Sequence, residues 1–332
     1  MAMELLKLFP FILRKGLGLL LLLLAVSAIS FMLVHFSPID PIQAYVGADM
    51  MKVSAEQREA IVQYWGLNDP PLLRYWHWLS AVVSGDLGTS MIYRRPVLEV
   101  IGERFAASLA LMGAAWLLSG LIGFVSGVLA AMNRNTWVDK GIRWYCYTLS
   151  STPTFWVGLL FMLVFAVWLG ILPVGLAVPA GTTADQVQFI DRIRHMILPV
   201  LTLSVTGIAA IALHTREKLI DVTEKEYWLF ARARGEQGFT IFWRHGLRNV
   251  ALPAITLQFA SFSELFGGAV LAEQVFSYPG LGQAAVEAGL RGDIPLLMGV
   301  VLFSALFVYC GNAMADLSYR FIDPRMKEGS RS

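Results

Sequence analysis

EYWLFARARGEQGFTIFWRHGLRNVALP, residues 226–253, is a polar, basic stretch of 28 residues set between two long apolar segments, 196–213 and 252–275. Short helical patterns flank Gly235 and Gly238, and Leu252-Pro253 closes the stretch. Between two membrane spans such a stretch must be a loop at one membrane face. Its shape suggests a docking surface, and the rest of the chain decides whether that reading holds.

The chain is 56% hydrophobic and 15% charged over 332 residues. Soluble domains carry about 25% charged residues, so the composition is that of a polytopic membrane protein. Cys146 and Cys310 both sit in apolar stretches with no CxxC spacing, which argues for small buried hydrophobes rather than a disulfide framework or a thiolate metal site.

Residues 17–36 form an apolar run long enough to cross a ~30 Å hydrocarbon core. Ala25-Val26-Ser27-Ala28 has the look of a signal cleavage site, but the run continues past it, so a retained first span is expected after a short N-terminus, 1–16. A connection at 37–107 follows, with helical patterns at 54–64 and around Leu72–Leu79 and turn signals in SGDLGTS, 84–90. It is too long to be a simple connector. Further apolar segments at 108–132, 144–171, 196–213, 252–275 and 296–318 give six spans in all, within a core of 108–325. Gly123-x-x-x-Gly127 allows close helix approach, and Pro153 ends or kinks its segment. The tail 326–332 is expected to be disordered. The fold class is therefore an all-α polytopic membrane protein with six transmembrane helices.

With the N-terminus inside, 17 of the 26 Lys and Arg residues fall on inside segments, seven of them between Arg216 and Arg248. The positive-inside rule then places both termini, and the loop 215–250, in the cytoplasm.

The chain has no GxxxxGK[ST] phosphate loop and no HExxH. The histidines, His35, His77, His195, His214 and His245, are scattered, so no metal site is expected. Glu264 stands mid-segment and Glu273 near the outer end of 252–275. An intramembrane carboxylate is a functional-site hypothesis by default. Glu264 is read either as a translocation residue or as a group that is protonated or bonded to a neighbouring helix or partner subunit, with Gly267 and Gly268 as companions on either reading.

The loop itself carries the strongest signal. Asp221, Glu224 and Glu226 place negative charge before the Trp228–Arg234 helix. Ala231 and Ala233 are small enough for another protein to approach, Gly235 ends the helix, and Arg232, Arg234, Arg244 and Arg248 ring the turn. A solvated basic loop explains the charge but not this order of small residues, Gly and Leu-Pro.

Ala231-Arg232-Ala233-Arg234-Gly235, followed by Arg244-His245-x-Leu247-Arg248-Asn249-x-x-Leu252-Pro253, resembles the coupling (EAA) loop of ABC-importer permeases. It is most similar to that of the dipeptide/oligopeptide/nickel family in its first-permease (B-type) branch. Pro38-x-Asp40-Pro41, Gly66-Leu67-Asn68-x-Pro70, Gly85-Asp86-Leu87-Gly88-x-Ser90, Pro153-x-Phe155-Trp156, Leu172-Pro173, His195-x-x-Leu198-Pro199, Phe276-x-x-Pro279-Gly280-Leu281-Gly282 and Asp323-Pro324-Arg325 follow the family's order. The chain departs from it at Leu229, where the family's Glu would stand, at Trp228, where a smaller residue is expected, and at Ile39, where the family has Gly.

The resemblance implies a type I ABC-importer permease fold with a long extracytoplasmic loop after the first helix, in the bacterial inner membrane. It implies a second, homologous permease, two ATPase subunits that bring ATP and Mg, and an extracytoplasmic solute-binding protein. The chain itself would be no enzyme, bind no cofactor and meet no nucleic acid. Peptides and nickel or other metal chelates are the expected cargo. By position, residues 227–240 would be the coupling helix and its turn, with Ala231, Arg232, Ala233, Arg234, Gly235, Arg244 and Pro253 as coupling residues. Trp65, Tyr75, Trp76, Trp78 and Asp86 would be binding-protein contacts or, for the aromatics, membrane-interface anchors. A self-sufficient secondary transporter or an intramembrane enzyme are the alternatives. The first would need paired intramembrane charges or an inverted repeat, the second clustered catalytic residues.

Overall fold

The computed structural model describes residues 2–36, 54–64, 68–179 and 187–322. Pro38–Pro41, Trp65 to Leu67, Asp323–Arg325 and the tail lie outside them. The elements are α1 (Ala2–His35), α2 (Ala55–Tyr64), α3 (Pro71–Val83), α4 (Val97–Met132), α5 (Trp137–Ser150), α6 (Thr154–Phe161, continued by a π-turn, Met162–Trp168) and α7 (Phe189–Thr223). There follow α8 (Glu226–Ala233), α9 (Gly238–Ile241, continued by a π-turn, Phe242–Gly246), α10 (Leu247–Ala260), α11 (Phe262–Val275), α12 (Leu281–Arg291) and α13 (Ile294–Ile322). Among the described residues the extended pairing is one isolated bridge, Thr89 to Pro96.

Among the described residues four helices are long and apolar enough to cross a membrane: the Leu13–His35 part of α1, α4, α7 and the Ile294–Met314 part of α13. The count is six if two bent pairs are each one span: α5 with α6 and its π-turn, bent by 107°, and α9–α10 with α11, bent by 50°.

The helix bounds differ from the hydropathy reading in three places. α4 starts at Val97 rather than 108, because its first turns carry charges on one side. Arg95 reaches forward to Glu103 at 2.6 Å and to Glu99 at 3.4 Å, which lowers the hydropathy without breaking the helix. The expected span 144–171 is two helices. Ser150, Ser151 and Thr152 donate their hydroxyls back to the carbonyls of Cys146, Tyr147 and Thr148, and Pro153 has no N–H to continue the ladder. The segment 252–275 is not one straight helix but bends at Ser261, between α10 and α11.

The chain divides into two units. Unit 1 comprises residues 1–107 and 280–310. In it Asp293 is buried and collects donors from two segments: Ser90 Oγ at 2.5 Å, Ile92 N at 2.9 Å and Leu296 N at 3.1 Å. One carboxylate thus caps α13 and ties the SGDLGTS turn to it. Tyr93 donates to Glu287, and Arg104 donates to Tyr93, so the same turn is held to α12. Phe105 of α4 meets Phe303 and Phe307 of α13 edge to face at 4.8 and 4.9 Å.

Unit 2 comprises residues 108–279 and 311–332. Its centre is the approach of α4 to α7. A Cβ on Gly123 would lie 3.0 Å from Ile208 O, and one on Gly127 would lie 2.5 Å from Ala212 O. The small residues let the two backbones close together, and Gly127→Val is expected to force them apart. We expect a cost of about 1–3 kcal/mol, read as a lower melting temperature in detergent. Trp116 Nε1 donates to Gln258 O at 2.8 Å, while Gln258 Nε2 donates back to Trp116 O, joining α4 to α10. His195 Nδ1 donates to Gly175 O at 2.7 Å, and Leu176 N donates to Phe276 O, so the two Leu-Pro motifs and the start of the FxxPGLG run meet.

Candidate functional site

α8 is eight residues long and begins with Glu226, whose charge in the first turn favours the positive end of the helix. Trp228 and Ala231, three residues apart, point the same way and are both buried. Under them lie Leu219 and Val222 of α7, Val128 and Ala131 of α4, and Ile241, Phe242 and Val250 of the returning segment. Trp228 is 3% exposed and works as a key set into the ends of two long helices. Gly246 leaves room for it: a Cβ there would lie 3.1 Å from the Trp228 ring.

This corrects the reading of Ala231. The expectation was that its small side chain lets another protein come close, but Ala231 is 3% exposed and packs into the chain's own cluster. Ala233, two residues on, is exposed. Gly235 and Gly238 carry φ of +90° and +60°, so each turn of the chain after α8 uses the left-handed region, where side chains with a Cβ are strained. Pro253 sits inside α10, not at the loop's closing end.

The other face of the loop is open. Leu229, Phe230, Phe239 and Trp243 are exposed, Phe230 at 67% and Trp243 at 62%. Phe239 lies 5.9 Å from Trp243, ring centre to ring centre. Arg232, Arg234, Arg244 and Arg248 are exposed around them. A hollow of about 470 Å³ opens beside α8, lined by Glu226, Tyr227, Phe230, Ala231, Arg234, Glu236 and His245. Its rim is braced: His245 Nε2 donates to Glu236 Oε2 at 3.2 Å, and Arg244 Nη1 lies 4.0 Å from Glu236 Oε1. Asn249 donates to the Tyr227 hydroxyl at 3.3 Å, and partial burial pushes the Tyr227 phenol above its ordinary range, so it remains neutral.

A buried ion pair stands one turn of α7 before Leu219. Arg216 donates Nε to Asp139 Oδ1 at 2.6 Å and Nη2 to Oδ2 at 2.9 Å. Asn135 N adds a third bond at 3.0 Å, and Arg143 Nε lies 3.4 Å away. Asp139 is 0% exposed. The sequence reading overlooked it. The available signal was an acid in a basic loop, four residues before Arg143.

The three pathway candidates separate. Glu264 and Gly267 are exposed on α11, and a Cβ on Gly267 would meet nothing within 4 Å. A Cβ on Gly268 would lie 3.3 Å from Leu203 of α7, so this glycine faces the chain's own packing. Glu273 is buried and accepts from Ser108 Oγ at 2.5 Å. Of the outer-loop residues, Trp65 lies outside the described residues. Tyr75 and Trp78 are partly buried on α3, Trp76 is exposed, and Asp86 spends Oδ1 on the N–H of Gly88 at 2.8 Å. Among the described residues no group of three or more His, Cys, Asp or Glu is placed to hold a metal ion.

Residues 123–328 match the family described as "Binding-protein-dependent transport system inner membrane component". Residues 8–112 match its N-terminal companion, "Binding-prot-dependent transport system membrane comp, N-term". The oligopeptide transport system permease protein AppB of Bacillus subtilis (strain 168) is 34% identical over 318 residues, 96% of this chain and 99% of that one. The glutathione transport system permease protein GsiC of Escherichia coli (strain K12) is 33% identical over 317 residues, 96% and 98% of the two chains. Among solved structures, an inward-facing form of the MetNI methionine ABC transporter aligns with a TM-score of 0.54 at 16% identity, over 68% of this chain and 97% of that one. At that identity the likeness shows the fold alone.

Proposed function

This chain belongs to the binding-protein-dependent transport system inner membrane component family, and we propose that it forms half of the translocation pathway of an ATP-driven importer for peptides or metal chelates. A second permease completes the pathway, two ATPase subunits dock beneath it, and an extracytoplasmic binding protein delivers the cargo. Both termini and the α8 loop lie in the cytoplasm. The names of the oligopeptide and glutathione relatives favour peptide-like cargo over chelates.

One observation supports the coupling role above the others. α8 is anchored by one face and open on the other: Trp228 and Ala231 are buried among the ends of α4 and α7, while Leu229, Phe230, Phe239 and Trp243 stand out among four arginines. Apolar side chains ringed by bases suit a groove with an apolar floor and acidic edges on the ATPase. When the ATPases close, α8 is pushed, and the buried indole passes the push to α4 and α7 because a packed interior does not yield locally. Glu264 and Gly267 on α11 then face the pathway or the second permease.

The test is uptake in vesicles holding this chain with its co-purifying permease and ATPases, with binding protein and cargo outside and ATP inside. Accumulation that needs every component is expected. Accumulation with this chain alone would sink the proposal in favour of a secondary transporter. Phe230→Asp buries nothing within the chain but sets a charge in the docking face. Loss of a hot-spot contact worth about 2 kcal/mol should lower uptake by about tenfold or more. The amount of the chain in the membrane should not change, and normal uptake would remove Phe230 from the docking surface.

A further inference from the structure

We propose that α3 is an in-plane membrane anchor, embedded in the lipid leaflet at the C-terminal end of α1, rather than a surface for a protein partner. The depth at which it meets α1 carries this reading. Tyr75 and Ser27 share a hydrogen bond of 2.8 Å between their hydroxyls, the Tyr75 ring stands edge-on to Phe31 at 5.3 Å, and the Arg74 guanidinium lies over the Phe31 ring at 6.0 Å. Counting from Lys15 at 1.5 Å per residue, Ser27 is ~18 Å and Phe31 ~24 Å along α1. A hydrocarbon core of ~30 Å encloses both. The contact face of α3 therefore lies below the headgroups of that leaflet, not above them.

The faces of α3 agree with that placement. Leu72, Trp76 and Val83 fall on one narrow stripe of the helix and are exposed at 82%, 66% and 82%. Arg74, Tyr75, Trp78 and Val82 turn towards the packed side and are partly buried. Ser80 borders the stripe, and His77 lies about 100° round the helix from Trp76, on the flank away from the packed side; both are exposed. An apolar edge with Trp and Tyr beside it, bordered by Ser80 and His77, is the pattern of an interfacial helix. The stripe also continues an interface already present. Ile29, Met32 and Leu33 of α1 are exposed at the same level, where a membrane span meets lipid. The Arg74 guanidinium rests over the Phe31 ring, a cation–π contact that offsets part of the cost of holding the charge beside the apolar edge.

The proposal rests on α1 crossing the bilayer, and the test separates the two. Spin labels are placed on Leu72→Cys, Trp76→Cys, Val83→Cys and His77→Cys, with Leu33→Cys on α1 as the reference. Exposed Cys310 is replaced by alanine, and buried Cys146 is kept. The chain is reconstituted with its co-purifying subunits in phosphatidylcholine vesicles, and collisions with oxygen and with a water-soluble nickel chelate are compared. Positions 72, 76 and 83 are expected to match position 33, oxygen-rich and nickel-poor, while position 77 meets nickel, and adding binding protein changes none of them.

Nickel access at all four α3 positions would overturn the proposal. So would shielding that appears only with binding protein, or positions closed to both reagents, which would mean a protein partner. A reference position 33 open to nickel would instead refute the spanning of α1. If labelled chains do not assemble, the emission lost in Trp76→Phe relative to the parent gives the same decision. It should be quenched by lipids brominated near the headgroup and untouched by aqueous acrylamide, and the reverse pattern would exclude lipid contact.

Discussion

Trp228→Ala is expected to abolish ATP-dependent uptake while the ATPase subunits still hydrolyse ATP. The indole is 3% exposed and touches a cluster drawn from α4, α7 and the returning segment. Truncating a buried aromatic costs about 3–5 kcal/mol, and here the cavity opens under a helix of eight residues that cannot persist without tertiary support. The loss should therefore be local: α8 comes loose while the long helices keep their mutual packing. Amide exchange should rise in 226–246 and stay low in the apolar centre of α7. Trp228→Phe, which refills most of the volume, should recover much of the uptake. Wild-type transport by Trp228→Ala would mean that the indole passes no force, and uniform exchange throughout would mean that it is an ordinary core residue.

Asp139→Ala is the second large effect. The carboxylate is 0% exposed and takes two bonds from Arg216, which is itself 15% exposed. Removing one partner of a buried pair costs about 3–5 kcal/mol, because the other charge is stranded. The opening at Arg216 to solvent argues for the lower end of that range. The direction of the double variant is the sharper expectation. Asp139→Ala with Arg216→Met should be more stable than Asp139→Ala alone, since no buried charge is left over. Melting of the detergent-solubilised chain measures both. If the double variant is as unstable as the sum of the single ones, α5 and α7 are not joined through this pair.

Much of the architecture was legible in the residues. Apolar runs locate the membrane segments because an unsatisfied backbone in lipid is so costly that little but a helix can cross. The glycine turn after α8 was legible too: Gly235 and Gly238 do carry the positive φ that such a turn requires. The misread places share one cause. Hydropathy averages over a window and does not see which side of a helix is charged, so the first three turns of α4 were taken as loop. Nor does it see hydroxyls folding back on their own helix, so the break at Ser150–Pro153 passed as a proline within one span.

Within the site the division is finer. Composition and order alone mark residues 226–253 as a basic loop between spans. Which side of α8 looks inward could be settled only by what lies beneath it. Ala231 and Ala233 are the same residue two positions apart, yet one is buried and the other open, because two positions on a helix differ by 200°. Trp228, out of place as a surface residue, becomes the anchor once the ends of α4 and α7 are brought under it. Asp139 and Arg216 are 77 residues apart, and nothing local to either one specifies the pair. Sequence determines what each segment can bury. Only the tertiary structure decides against what it is buried, because that depends on which distant helix ends the fold brings together.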